Sequence, residues 1–216
     1  MAESPTRPLE ATLAYADGFH TEDEILRTAR QRGAEVGAPA VPPGGGAALC
    51  FLATAINARA VVEIGTGCGA SGLWLLRGMR RDGTLTSVDV EPEHQRLARE
   101  VFAQAGFSGG RVRLITGRAL DVLPRLSDGG YDLVFCDGSR QEYADYLAEA
   151  LRLLRRGGIV VFGDALLGHR VADRTQRDPD TVAIRELGKL VQSDERLRPL
   201  MIPLGDGVLA AVKLDD

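Results

Sequence analysis

Lysine is almost missing from this chain. Of its 26 basic residues only Lys189 and Lys213 are lysines, so 24 are arginines, a bias that fits genome composition better than function. There is no basic excess either: the formal net charge is −4, which leaves no electrostatic footprint for nucleic acid and keeps small-molecule substrates open. Cysteine is scarce. Cys50, Cys68 and Cys136 are dispersed without metal-type spacing, and Cys50 and Cys136 sit in apolar runs, as expected of reduced core residues in a cytosolic protein. The longest apolar stretch, "AALCFLATAI", is too short to span a bilayer, and the start, "MAESPTRPLEATLAYADG", carries early acids and no apolar core of a signal peptide. The expectation is a soluble, cytoplasmic protein with no membrane or nucleic-acid partner.

At 216 residues the chain suits one domain that buries roughly 70% of its unfolded surface. Repeats and long low-complexity linkers are absent. The one composition break, "GAPAVPPGGGAAL" (37–49), separates an N-terminal helical part from the remainder. Before it, "TEDEILRTARQRGAEV" predicts a helix with Thr21 as N-cap and Glu24 closing a capping box. After it, residues 45–57 predict another.

From residue 60 the chain alternates. The β-branched runs "AVVEI", "LTSVDV", "RVRLIT", "YDLVFCD" and "GIVVFG" are each followed by a helical segment, over 71–81, 92–106, 118–127, 141–155 and 180–194. This is the pattern of an α/β fold with a parallel sheet covered by helices on both faces. The tail, "RLRPLMIPLGDGVLAAVKL", is two apolar runs around Gly205-Asp206-Gly207, a hairpin signal that makes the last strand antiparallel and brings the sheet to seven strands. Ligands of such sheets sit beyond the carboxyl ends of the strands.

At the first strand end, "VVEIGTGCGASGLWLL" places Gly65, Gly67 and Gly69 between strand and helix, where a tight turn and free amides can receive a ligand. The stretch also fits the dinucleotide pattern as Gly65-x-Gly67-x-x-Ala70, and the glycines could serve the turn alone. Asp89, ending the second strand twenty residues after Gly69, stands where an acid binds ribose hydroxyls, so an adenine nucleoside is expected. Three features favour S-adenosylmethionine over NAD(P): Glu63 inside the first strand, the turn Arg155-Arg156-Gly157-Gly158 after a long helix, and the C-terminal hairpin in place of a substrate domain. An NAD(P)-binding oxidoreductase remains the alternative.

The blocks "VPPGGGAAL", "VVEIGTGCGASGLWL", "VDVEPEHQRLAR", "YDLVFCDGSRQEYADY", "LLRRGGIVV", "RVADRTQRDPDTVAIREL" and "PLGDGVLAAVK" occur in this order from about residue 37 to 213. In them the chain resembles the catechol O-methyltransferase-like family, which includes the caffeoyl-CoA O-methyltransferases. The resemblance implies a Rossmann-like class I methyltransferase, often a homodimer, with residues 1–40 as a helical segment for substrate capping or dimer contact and 41–216 as the S-adenosylmethionine-dependent domain. By position, Val41 contacts the cofactor, as does Gly67; Glu63, Gly65 and Thr66 line its methionine part; the Ser71 hydroxyl binds its carboxylate. Asp89 holds the ribose, and Arg118 and Ala119 border the adenine. Blander roles stand beside three of these: packing for Val41, an N-cap for Ser71, solvated surface for Arg118.

The resemblance fails where its chemistry would sit. The family's strand-four end, Asp-Ala-Asp-Lys-x-x-Tyr, is here Asp137-Gly-Ser-Arg140-Gln-Glu-Tyr143. Asp137 matches the first ligand of a divalent cation such as Mg2+ and would also border the cofactor. Arg140 replaces the lysine, and an arginine cannot take a substrate proton, though it can steer an acidic hydroxyl or stabilise an oxyanion. Tyr143 and Tyr146 suit either a pocket wall or helix packing. At the strand-five end Gly163 stands where a ligand aspartate belongs and Asp164 where an asparagine belongs. Asp137 and Asp164 together would hold a weakened ion with substrate oxygens completing its shell, or a one-residue bulge would swing Asp164 into the missing ligand's place; His169 in the next loop reads as solvated. The expected activity is O-methylation of a small hydroxylated, phenolic or catechol-like acceptor, with Asp137, Arg140 and Asp164 as its catalytic residues. A degenerate member that binds the cofactor without catalysis is the second alternative.

Overall fold

The computed structural model describes residues 6–107 and 109–214. Seven strands form one sheet in the order β3-β2-β1-β4-β5-β7-β6. They are β1 (Ala60–Ile64), β2 (Thr84–Asp89), β3 (Val112–Thr116), β4 (Tyr131–Cys136), β5 (Leu154–Phe162), β6 (Leu197–Ile202) and β7 (Val208–Lys213). The first five run parallel; β7 lies antiparallel to both β5 and β6. This is the expected architecture. Order reverses at β1, between β2 and β4, and such a switch point opens a crevice at the strands' carboxyl ends.

Successive strand residues face opposite sides, so each sheet face has its own core. Val61, Leu133 and Val161 pack against α2 (Glu24–Glu35), α3 (Pro43–Ala55), α4 (Ala70–Gly78) and α5 (Pro92–Gln104), through Leu26, Leu49, Leu73 and Phe102. Val62, Val134 and Val160 pack against α6 (Ala119–Val122), α7 (Tyr143–Leu153) and α8 (Pro179–Ser193), through Leu147, Ile184 and Val191. Ahead of these, α1 (Thr6–Gly18) packs against α3. Its Asp17 Oδ1 accepts the Gly44 amide at 2.9 Å and the Gly205 amide at 3.2 Å. One carboxylate thus ties the start of α3 to the β6–β7 turn, and so to the rim of the crevice.

Several local expectations are corrected. The N-cap of α2 is Asp23, whose Oδ1 accepts from the Leu26 amide at 3.0 Å, not Thr21. Glu24 is therefore the first helical residue, and no capping box forms. The helix over 118–127 shrinks to α6 and a 3-10 turn (Leu123–Arg125), because Pro124 offers no amide to continue it. Arg155-Arg156-Gly157-Gly158 is not a turn before β5 but part of it: pairing jumps from Tyr131–Leu154 to Leu133–Ile159, leaving the arginines on a bulge.

The approach of α3 to α4 depends on a missing side chain. A Cβ on Gly46 would lie 2.3 Å from the indole of Trp74, so the ring fills the place of a methyl group. Gly46→Ala is expected to push Trp74 outward and cost about 1–3 kcal/mol, the usual scale of overpacking. Trp74 is the only tryptophan. Chemical denaturation followed by its emission should show lower stability and a red-shifted native spectrum; an unchanged midpoint and spectrum would refute the contact.

Candidate active site

The carboxyl ends of β1, β2, β4 and β5 open into one cleft of about 620 Å3. Its first half is built by the turn after β1. Gly65 has φ +92° and donates its amide to Val88 O at 2.8 Å; a Cβ there would stand 2.5 Å from Asp137 O. Gly67, with φ +48°, would point a Cβ into open space, and its amide donates to Asp89 Oδ2 at 2.9 Å. Asp89 Oδ1 accepts the Glu91 amide at 2.9 Å and lies 3.4 Å from His94 Nδ1. The acid is therefore aimed at the glycine turn before any ligand arrives. Among the described residues no side chain caps α4, whose N-cap is Gly69, so its first amides are open to an anion.

Val41, Thr66, Ser71, Arg118 and Ala119 also line this half. Arg118 stands at the edge, largely exposed and 3.2 Å from Glu142. Two roles change. Glu63 does not line the cleft: it is fully buried behind the turn. Its carboxyl accepts from Ser71 Oγ at 2.6 Å and Ser87 Oγ at 2.5 Å. The Ser71 hydroxyl is thus engaged inward rather than offered to a ligand carboxylate. Thr66 Oγ1 joins the group 2.6 Å from Ser87 Oγ and accepts from Gln95 Nε2 at 2.8 Å. Burial pushes the Glu63 carboxyl up to about 7; the two hydroxyls oppose the shift and the negative charge of Asp89 adds to it.

The second half gathers Asp137, Arg140 and Asp164, with Tyr146. Tyr143 is buried against Phe162, with ring centroids 5.2 Å apart, and takes no part in the wall. His169 is exposed in its loop and does not line the cleft. Asp164 adopts φ +53°, a left-handed conformation that aspartate tolerates better than most residues, and its Oδ2 is bound by Arg140 Nη2. Asp137 has moved into the room left by glycine: its Oδ1 is 2.6 Å from where a Cβ on residue 163 would stand. Burial pushes the Asp137 carboxyl well above the usual carboxylate range, the Asp164 charge adds to this, and Arg140 opposes it.

The expected metal pair is corrected by this geometry. One acid is already neutralised by a guanidinium and the other fills the space of the missing ligand. Among the described residues no three His, Cys, Asp or Glu side chains are grouped to hold an ion. The donors present do not fit a divalent cation.

Some lining residues escaped the sequence reading. Asp206, on the β6–β7 turn, lines the cleft, and its carbonyl accepts the Leu166 and Leu167 amides at 2.8 and 3.2 Å. The available signal was topological: an antiparallel β7 starts beside the end of β5, where Leu209 pairs with Phe162. Leu167 and Arg170 line the cleft from the loop after β5. Arg185 of α8 pins that loop, donating to the carbonyls of Val171 (3.0 Å), Gln176 (2.7 Å), Arg170 (2.9 Å) and Asp173.

Fold and cleft together are those of a class I methyltransferase. A family model described as O-methyltransferase matches residues 17–214. A Mycobacterium tuberculosis protein named "Probable O-methyltransferase Rv1220c" is 54% identical over 204 residues, 94% of this chain and 91% of the relative. The Streptomyces achromogenes O-methyltransferase TomG, involved in tomaymycin synthesis and solved with S-adenosylmethionine, superposes with a TM-score of 0.83 at 30% identity, covering 95% of this chain and 96% of its own. A Bacillus cereus O-methyltransferase solved with S-adenosylhomocysteine gives 0.80 at 29% identity, covering 93% and 96%. The chain belongs to this O-methyltransferase family.

The Glu63 carboxyl gives a pH test. Its folded-state pKa of about 7 lies above its ordinary value of 4.5, so the folded protein holds this proton more tightly. Its contribution to stability is complete below about pH 4.5 and lost as the pH rises through about 7, a change of about 3 kcal/mol. Denaturant unfolding across this range should show wild type losing that much more than Glu63→Gln. Parallel pH profiles would contradict the buried carboxyl.

Proposed function

We propose that the protein is an S-adenosylmethionine-dependent O-methyltransferase acting on a small hydroxylated acceptor of phenolic character. The observation that carries this reading is the pairing within one cleft of a pre-aimed Asp89 beside the glycine turn with Asp137, Arg140 and Asp164 opposite. Asp89 suits the two ribose hydroxyls, the free amides of α4 suit a carboxylate, and the buried Ala119 leaves room for a flat base. Bound there, the cofactor supplies a methyl group on a sulfonium, whose carbon–sulfur bond breaks as the acceptor oxygen bonds the carbon, leaving neutral S-adenosylhomocysteine.

The chain's own work is placement and charge. Holding two reactants in line replaces a costly bimolecular encounter, and the pinned loop after β5 supplies a fixed wall for it. Burial favours the neutral Asp137 carboxyl, which offers a hydroxylated molecule both a donor and an acceptor. Arg140 supplies positive charge where oxygen becomes nucleophilic. Family membership removes the basis for the oxidoreductase alternative, since the glycine pattern alone suggested it.

Calorimetry with S-adenosylhomocysteine and NAD, followed by transfer of labelled methyl to a panel of phenols, tests the reading. Binding of the first ligand only is expected, weakened about tenfold or more in Asp89→Ala, the scale of hydrogen bonds to a charged group. Binding without transfer to any phenol would favour the non-catalytic alternative. NAD binding in its place would sink the proposal.

A further inference from the structure

The acceptor half of the cleft holds a permanent cation of its own. Arg140 Nη2 is bonded to Asp164, Nη1 lies 3.5 Å from Asp180 Oδ2, and the side chain remains 32% exposed along the cleft. Its Nε is buried and has no hydrogen-bond partner among the described residues. Such an orphaned donor costs about 1–3 kcal/mol and calls for an acceptor that the protein does not supply. Across from it, Asp137 Oδ1 occupies the room beside Gly163. A divalent ion between the two acids would compete with Arg140 for the Asp164 carboxylate. The ion would then face the guanidinium in a poorly solvated space, where like charges repel strongly.

We propose that the Arg140 guanidinium, tethered by Asp164 and Asp180, is the cation of the acceptor site in place of a divalent ion, and that the acceptor carries one acidic hydroxyl rather than a chelating vicinal diol. This rests on the methyl-transfer reading above. A metal ion with open coordination positions selects paired oxygens that complete its shell. A guanidinium instead presents planar N–H donors to an oxyanion. Arginine takes no proton, so the hydroxyl must be acidic enough to ionise beside it. Its proton leaves to water on binding, and the phenolate oxygen rests against the guanidinium. That oxygen then forms the carbon–oxygen bond as the carbon–sulfur bond breaks. One anion and one sulfonium cation give two neutral products.

S-adenosylhomocysteine binding, measured first, reports on the methyl-transfer reading alone, so the two failures are distinguishable. On that complex, Mn2+ is titrated by electron paramagnetic resonance. 4-Nitrophenol, whose phenolate absorbs apart from its neutral form, is titrated by absorbance below its own pKa. No manganese site tighter than about millimolar is expected. Wild type should convert bound 4-nitrophenol to phenolate, an effect reduced about tenfold or more in Arg140→Gln and less in Arg140→Lys. One tightly held Mn2+ that disappears in Asp137→Asn overturns the proposal. So does the absence of phenolate formation in wild type, or equal formation in Arg140→Gln.

Discussion

The buried Glu63 carboxyl is the constraint on which the cofactor half of the cleft depends. It sits in β1, yet its partners Ser87 and Ser71 belong to β2 and α4, and Thr66 and Gln95 extend the chain of hydrogen bonds to the glycine turn and α5. A carboxyl placed without partners in such a core would cost several kcal/mol, so satisfying it fixes where these elements meet. With β1, β2 and α4 held together, Gly67 faces Asp89 and the amides of α4 face the cleft. The pocket is shaped before a ligand enters, which spares binding the entropy of ordering it.

The acceptor half has a different logic. There the fold places four acids, Asp137, Asp164, Asp180 and Asp206, around one guanidinium. Burial raises the Asp206 carboxyl, and the Asp164 charge adds to that shift. The loop that completes this half has little secondary structure, and its shape comes from two anchors: the β6–β7 turn, through Asp206 O and Gly207 O, and Arg185 of α8. A loop held by carbonyls at one guanidinium can be rigid without a core of its own, and rigidity is what an acceptor site needs.

Much of the fold was legible in the sequence because strand and helix periods differ, so β-branched runs alternating with amphipathic segments reveal a doubly covered sheet. The glycine turn was legible too, since Gly65 and Gly67 act through their backbone conformation, and Asp89 ends β2 with its carboxylate on that turn. What stayed hidden was competition between neighbours. Asp23 and Thr21 both make good N-caps, and only the helix start decides between them. Pro124 cut short a helix whose apolar spacing continued past it. Counting along β5 revealed that Gly163 lacks a carboxylate, but not that Asp137, just past the end of β4, fills the vacancy. Nor could linear order show that the turn at Asp206 lies beside Asp164, because an antiparallel return brings together residues 42 positions apart.

Anomalous diffraction from crystals of the S-adenosylhomocysteine complex soaked in Mn2+ tests the central claim most directly, since one map reports both halves of the cleft. The expected map shows the ribose against Asp89, the Arg140–Asp164 pair intact and no manganese peak between Asp137 and Asp164. A manganese peak ligated by both carboxylates, with Arg140 displaced, would contradict it.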